Sequence, residues 1–418
     1  MLSTLRDAWK IPDLRRKLLF TLAMLLVYRL GSFIPVPFIN REVIGDLVTQ
    51  GGVLGLFDVI SGGNFRNFTI FAMSITPYIN ASIIMNLLTF VIPALERLAK
   101  EGEEGRKKIA QYTRYATILL AFIQAVGLSL SIQNVLIEKT FLTISIVVVT
   151  ITAGTAFLMW LGEQITEKGI GNGISLIIFV SIISSLPDGI AKMIEYVRVG
   201  TINIFTLILF VFFAVVVISA VVAVQEGQRR IPVQYAKRVV GRKMYGGQSS
   251  HIPLKINQAG VIPVIFASSI TLFPSTLASF FPNSSIANWI AKWFEWGNPI
   301  STSFYIVLIL AFTYFYTAIT FNPVDVANNM KKNGGFVPGI RPGRPTVEFL
   351  NRTLNRLTLS GAIFLALIAT LPLVIGVIMG IDLRFGGTGL LIVVGVALET
   401  VKQIEAQMMM RHYQGFLK

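Results

Sequence analysis

Side chains able to do chemistry are scarce in this chain of 418 residues, and their spacing excludes most kinds of it. The two histidines, His251 and His412, stand far apart, so there is no HExxH or histidine-carboxylate constellation. Cysteine is absent, which removes disulfides, thiol catalysis and zinc-thiolate sites and leaves the redox compartment unreadable. GIGNG, Gly169 to Gly173, imitates a fragment of a nucleotide loop, but no strand precedes it and no Lys-Ser/Thr follows. It reads as a tight bend leading into an apolar stretch. The ionisable groups within or at the ends of apolar stretches are Arg29, Glu163, Glu399 and Lys402, the last three at the ends. Arg29 is read as snorkelling or bonding backbone carbonyls rather than carrying ions. Coupled transporters keep ionisable groups at the membrane midplane, so an ion-coupled mechanism is disfavoured.

Uncharged residues offer more. Ile75 with Ile79, and Ile178 with Ile182, repeat at i,i+4, which places each pair on one helix face. Branched aliphatics contributed by several helices can form a dewetted constriction that yields to a large flexible solute and resists ions. Isoleucine at helical spacing is also ordinary packing or lipid-facing surface, and spacing alone leaves both readings open. Asn80, Asn86 and Gln124 are neutral polar groups in apolar surroundings, either a hydrophilic seam or glue between helices.

The elements that must position these residues are ten apolar stretches, near 18–36, 69–92, 111–133, 141–161, 174–190, 203–225, 258–280, 303–323, 357–380 and 386–404. Each has about the 20 residues a helix needs to cross a bilayer. Pro77, Pro263 and Pro372 fall inside them and are expected to bend their helices. Counted with basic residues at the stretch ends, alternate gaps hold 5, 6, 1, 7, 6 and 3 Lys and Arg, 28 in all; the intervening gaps hold 7, and Arg29 lies within the first stretch. The positive-inside rule then puts both termini and the two longest basic loops in the cytoplasm. The start of the chain, Arg15, Arg16 and Lys17 before an apolar run, imitates a signal peptide, yet the run continues to Val36 and ends in IPVP, so a retained first span is expected.

Composition agrees: 54% hydrophobic residues, a mean hydropathy of +0.69 and 14% charged residues are too apolar for an ordinary soluble domain. A net charge of +15 raises the question of nucleic acid, but the basic residues flank the apolar stretches, so membrane bias explains them and no direct nucleic-acid readout is expected.

The ten stretches divide into two sets of five, residues 1–200 and 201–418, the second set starting on the opposite side from the first. An odd number per half requires any repeat between them to be inverted; ten spans with no repeat is the alternative. In the outward gap 37–68, the run Gly51 to Phe65 is apolar and too short to span. Glycines 51, 52, 62 and 63 bracket it. It is either a re-entrant piece acting as a movable stopper or an interfacial turn on the outer surface. The loop 226–257 carries Arg229, Arg230, Lys237, Arg238, Arg242, Lys243 and Lys255 with Glu226 as its one acid. The loop 324–357 adds Lys331, Lys332, Arg341 and Arg344, the last two on a tip stiffened by Pro and Gly. Protruding basic tips suit docking an acidic partner more than catalysis.

The runs QYAKRVVGRKMYGGQSSHIPLKINQAGVIPVIFASSI and FNPVDVANNMKKNGGFVPGIRPG resemble the bacterial SecY family. So do RLGSFIPVP, ITPYINASIIMNLLTF, EGEEGRKKIAQYTRYAT, FLMWLGEQITEKGIGNGIS and FGGTGLLIVV, in order along nearly the whole chain. The one visible departure is the second basic residue of PGIRPGRP. The resemblance implies an all-α polytopic membrane protein: ten transmembrane helices in two inverted halves around an hourglass pore, with a lateral gate between spans two and three and spans seven and eight. It implies a protein-conducting channel, not an enzyme, without a bound cofactor. Its pore ring would be Ile75, Ile79, Ile178, Ile182, Ile265 and Ile392. A plug would be formed by segment 51–65, helical over Leu54, Gly55, Leu56, Phe57, Asp58, Val59, Ile60 and Ser61. Asn86 and Gln124 would line the lateral gate, and Arg238, Arg242, Lys243, Arg341 and Arg344 would dock the SecA motor ATPase or a ribosome. SecE and SecG subunits, signal-bearing precursor polypeptides and membrane lipids complete the implied partners, and the bacterial plasma membrane the location. A small-solute secondary transporter would need a midplane site and coupling ion that are not offered. An intramembrane enzyme would need a catalytic dyad or metal cluster, which the sequence also lacks.

Overall fold

A computed structural model describes residues 2–415 except 42, 46–57, 59–60, 133–134, 201–202, 236–237, 241–242, 246–248, 280–283, 295–297 and 380–386. The chain is mainly helical. Helices α1 (Leu2–Lys10), α2 (Pro12–Gly31), α3 (Thr76–Val91), α4 (Pro93–Lys100), α5 (Glu103–Ser131), α6 (Phe141–Lys168), α7 (Gly173–Arg198) and α8 (Ile204–Glu226) precede a region of strands. Strands β1 (Gln228–Tyr235), β2 (Arg238–Val240), β3 (Lys243–Tyr245) and β4 (Ser249–Lys255) are followed by α9 (Ile262–Ser279), α10 (Ser285–Trp293), α11 (Pro299–Thr320) and α12 (Pro323–Lys332). Then come β5 (Gly335–Phe336), α13 (Arg344–Met379) and α14 (Gly387–Gly415).

Each apolar stretch of the sequence overlaps one of these helices. Among the described residues six helices are long and apolar enough to cross a membrane by length and composition, seven if the bent pair α3–α4 counts as one span. That pair bends by 99° at Ile92, whose extended backbone (φ −98°, ψ 111°) is what a residue before proline prefers. Helix α8 is apolar all round and buries only Val217 and Val221, leaving Ile204, Phe205, Ile208 and Phe212 exposed, the signature of a lipid-facing helix.

Two sequence expectations shift. Pro77 and Pro263 sit in the first turns of α3 and α9, where proline's missing N–H costs nothing, so they start helices instead of bending them. Pro187, Pro274 and Pro372 are the interior prolines of α7, α9 and α13. The stretch 69–75 is a run of turns before α3, with positive φ at Phe68 and Ser74. Gly154 of α6 makes that course possible: a Cβ there would lie 1.9 Å from the Ile70 carbonyl oxygen. The bend at GIGNG is as read, with Gly171 at φ +90° and Asn172 capping α7 by accepting from the Ile174 and Ser175 N–H groups at 3.1 and 3.2 Å.

The basic loops are more ordered than protruding tips, and the chain is not wholly α-helical. β1 pairs antiparallel with β4 from Gln228↔Lys255 to Gln234↔Ser249, and with β5 at Gln234↔Phe336 and Tyr235↔Gly335. One sheet, ordered β4-β1-β5, therefore joins both loops. In β1 Ile231 and Val233 turn inward and Arg230, Pro232 and Gln234 outward, the alternation of a half-buried strand. Ile231, Val233 and Leu254 pack with Ala327, Met330, Val337 and Leu350 in a satellite core.

Candidate functional site

The six isoleucines singled out in the sequence come from four helices and the turn before α3. Ile75 caps α3 and accepts from the Ile79 N–H at 3.1 Å; Ile178 and Ile182 lie on α7, Ile265 on α9, and Ile392 on α14. All six are buried, and all six belong to one contiguous apolar cluster. Packing ties the contributing helices together: α7 meets α14, and α9 meets α3, α5 and α14. At one crossing the Ile182 side chain packs against Gly389, where a Cβ would lie 3.4 Å from Ile182 Cγ2. Its buried members are aliphatic and aromatic side chains, with Tyr28 and Tyr305 the hydroxyl-bearing ones, a lining that can exclude water without holding an ion.

Alongside it runs a seam. α3 carries half-buried Asn86, and α5 carries buried Gln124. The opposite wall is α9 with α11, where Phe266 stacks edge-on to Phe312 and Tyr316 at 5.8 Å each. Phe90 of α3 meets Phe315 of α11 edge to face, centroids 5.2 Å apart and planes at 70°, closing the seam between the first and second sets of helices. Sequence reasoning named neither Phe90 nor Phe315, because phenylalanine in an apolar stretch carries no positional signal.

Of the segment 51–65, Leu54, Gly55, Leu56, Phe57, Val59 and Ile60 lie outside the described residues. Asp58 and Ser61 are helical. The Asp58 carboxylate accepts from the Arg66 N–H at 2.7 Å, its carbonyl accepts from the Gly63 N–H at 2.9 Å, and Ser61 Oγ accepts from the Phe65 N–H at 3.1 Å. The turn that follows is held in a buried polar group of Tyr28, Ser61, Asn64 and Ser181.

The docking candidates divide. Arg341 and Arg344 are exposed at the tip between β5 and α13; the Arg341 carbonyl accepts from Thr346 Oγ1 at 2.9 Å, and Arg344 pairs with Glu348 at 3.2 Å. Arg238 and Lys243 have their backbones in β2 and β3, with Arg238 opposite Tyr245 and Val240 opposite Lys243. Arg242 lies outside the described residues. Of the ionisable groups at the apolar stretches, Glu163 pairs with Arg114 at 2.7 Å and Lys402 with Glu226 at 3.5 Å, while the Arg29 guanidinium lies 5.0 Å from the Phe33 ring centroid. Among the described residues no group of His, Cys, Asp and Glu could hold a metal ion.

The structure thus combines a buried aliphatic cluster, a seam between helices and an exposed basic tip, and the chain is similar to known proteins. The protein translocase subunit SecY of Halalkalibacterium halodurans is 50% identical across 100% of both chains. A SecY structure described as having a plug domain that stabilises the closed translocation channel superposes with a TM-score of 0.67, covering 94% of this chain and 92% of its own at 20% identity. The Sec61 channel of a canine ribosome-channel complex superposes at 0.64 over the same shares, also at 20% identity. The SecY family model matches residues 69–401, and the chain belongs to the SecY family.

Proposed function

We propose that the chain is the channel subunit of a protein translocase, a conduit that passes unfolded polypeptides across a membrane and releases apolar segments sideways into lipid. Membership of the SecY family supports it. The observation that carries it to residues is the single cluster containing Ile75, Ile79, Ile178, Ile182, Ile265 and Ile392, drawn from both sets of helices. Such a ring closes around a moving chain and, when empty, keeps water and ions out.

In this reading residues 1–200 and 201–418 are the two halves, and the Asn86–Gln124 wall with α9 and α11 opposite is the lateral exit. The segment 51–65 is the plug, as in the SecY structure whose plug domain maintains a membrane seal. Arg341 with Arg344, Arg238, Arg242 and Lys243 receive the SecA motor ATPase or a ribosome, consistent with ribosome-bound relatives of the same fold. SecE and SecG are companion subunits, and the chain sits in a bacterial plasma membrane with both termini cytoplasmic. The protein is a channel and not a catalyst; the driving energy belongs to the docked partner.

The test is reconstitution with SecE in liposomes, with SecA, ATP and a signal-bearing precursor added. Precursor should become protease-protected inside only when both ATP and this chain are present. An unprotected precursor, with SecA shown active on control membranes, would refute the proposal.

A further inference from the structure

Ser181 lies on α7 between Ile178 and Ile182, and it is fully buried. Its Oγ donates to the Ile177 carbonyl at 2.8 Å and shares a hydrogen bond of 2.6 Å with the Tyr28 hydroxyl, in which either oxygen can donate; the Tyr28 hydroxyl also reaches the Ser61 carbonyl at 3.5 Å. Tyr28 in turn accepts from Asn64 Nδ2 at 3.0 Å, and Asn64 Oδ1 accepts from Thr69 Oγ1 at 3.1 Å. The result is a continuous series of hydrogen bonds, Thr69–Asn64–Tyr28–Ser181, ending on the backbone of α7. Tyr28, Asn64, Thr69 and Ser181 are each at most 2% exposed. Unmet polar groups are costly in such surroundings, so the series holds its members in one arrangement.

Backbone packing fixes the same joint. Gly62, at φ +70°, runs flush against α7, where a Cβ would lie 2.5 Å from the Ser181 carbonyl oxygen. Asn64 Nδ2 also donates to the Ser61 carbonyl. The turn at the foot of the 51–65 segment is therefore fastened to the helix that carries two isoleucines of the ring, with Tyr28 of α2 as the fastener.

We infer that Tyr28 is a positioning residue that couples the ring to the segment sealing it: outward movement of α7 breaks the Tyr28–Ser181 bond and frees the turn, and the rejoined bond resets both. This rests on the channel reading above. Family membership does not supply it, because it follows from the Tyr28–Ser181 and Asn64–Tyr28 bonds and the Gly62 contact.

The experiment is single-channel conductance of the resting complex in planar bilayers, with hydrogen exchange at the amides of Gly63 and Phe65, for Tyr28→Phe, for a deletion of residues 54–60, and for both together. Tyr28→Phe keeps the ring's volume and leaves Asn64 its bond to Ser61 and Ser181 its bond to Ile177, so the fold persists. Loss of the Tyr28 hydroxyl's buried hydrogen bonds to Ser181 and Asn64 predicts a rise of about tenfold or more in leak and in exchange. Ser181→Ala, which cuts the same bond from the other side, should reproduce it. In the deletion background Tyr28→Phe should add nothing, a dependence that general destabilisation would not show. Unchanged leak and exchange in Tyr28→Phe, or an equal rise with and without residues 54–60, overturns the coupling and leaves the channel reading intact. A deletion that by itself leaves the leak unchanged removes the sealing role of the segment, and the coupling with it.

Discussion

The rings of Phe90 and Phe315 meet edge to face across the seam between α3 and α11, 5.2 Å between centroids. A seam that must part for lateral release is here closed by an apolar contact without a hydrogen bond or ion pair between the two side chains. Because the chain has no cysteine, the pair Phe90→Cys with Phe315→Cys would be its only thiols. A short cleavable thiol-reactive crosslinker should join them and stop both transport and lateral release, and cleavage should restore them; transport undiminished in fully crosslinked protein would show that the seam need not open.

The isoleucine ring predicts a trade between packing and sealing. Ile182→Ala or Ile265→Ala in the buried cluster should cost about 2–5 kcal/mol if the site cannot collapse, read as a lower unfolding midpoint. In the channel reading the same methyl groups seal the pore, so resting conductance should rise as well. Alanine at Ile363, an exposed position of α13, should change neither.

Arg341 and Arg344 sit three residues apart and should behave differently. Arg344 has an exposed partner in Glu348, a surface pair worth roughly 0–1 kcal/mol, so Arg344→Ala should leave stability near the parent. Arg341→Glu reverses a charge on the exposed tip and should reduce SecA-driven transport by about tenfold or more while the melting temperature holds. Equal transport by parent and variant would remove Arg341 from the docking surface.

Gly154 carries a purely steric prediction. A side chain there drives into the Ile70 carbonyl, so Gly154→Val should destabilise by about 1–3 kcal/mol or more through overpacking. Thermal unfolding in detergent reads it, and a variant as stable as the parent would mean that the turn 69–75 yields.

Much of this was legible in the sequence. The apolar lengths and alternating charge located the helices, since a bilayer demands both. The glycines of GIGNG marked the bend they make, while the break before Pro93 carried no reading in the sequence. Ile75, Ile79, Ile178 and Ile182 were visible as pairs, but only the resemblance to a family joined Ile265 and Ile392 to them, because periodicity does not orient a helix among neighbours. The strands of the basic loops carry little signal in the sequence: Gln228–Tyr235 has two buried residues, Ile231 and Val233, and its charge masks so short an alternation. Pro77 and Pro263 misled because a proline inside an apolar stretch is not inside a helix until the helix start is known. Tyr28, Asn64 and Ser181 were silent, since polar residues separated by 36 and 153 positions announce nothing before the fold brings them together.

The central claim is that a polypeptide passes through the isoleucine ring. Photoreactive residues placed singly at Ile79, Ile182, Ile265 and Ile392, with Leu26 and Phe212 on the exposed outer surface as controls, would be illuminated with a precursor arrested midway. Adducts from the four ring positions and none from the controls are the predicted result. Adducts absent from the ring, or as frequent at Leu26 and Phe212, would contradict it.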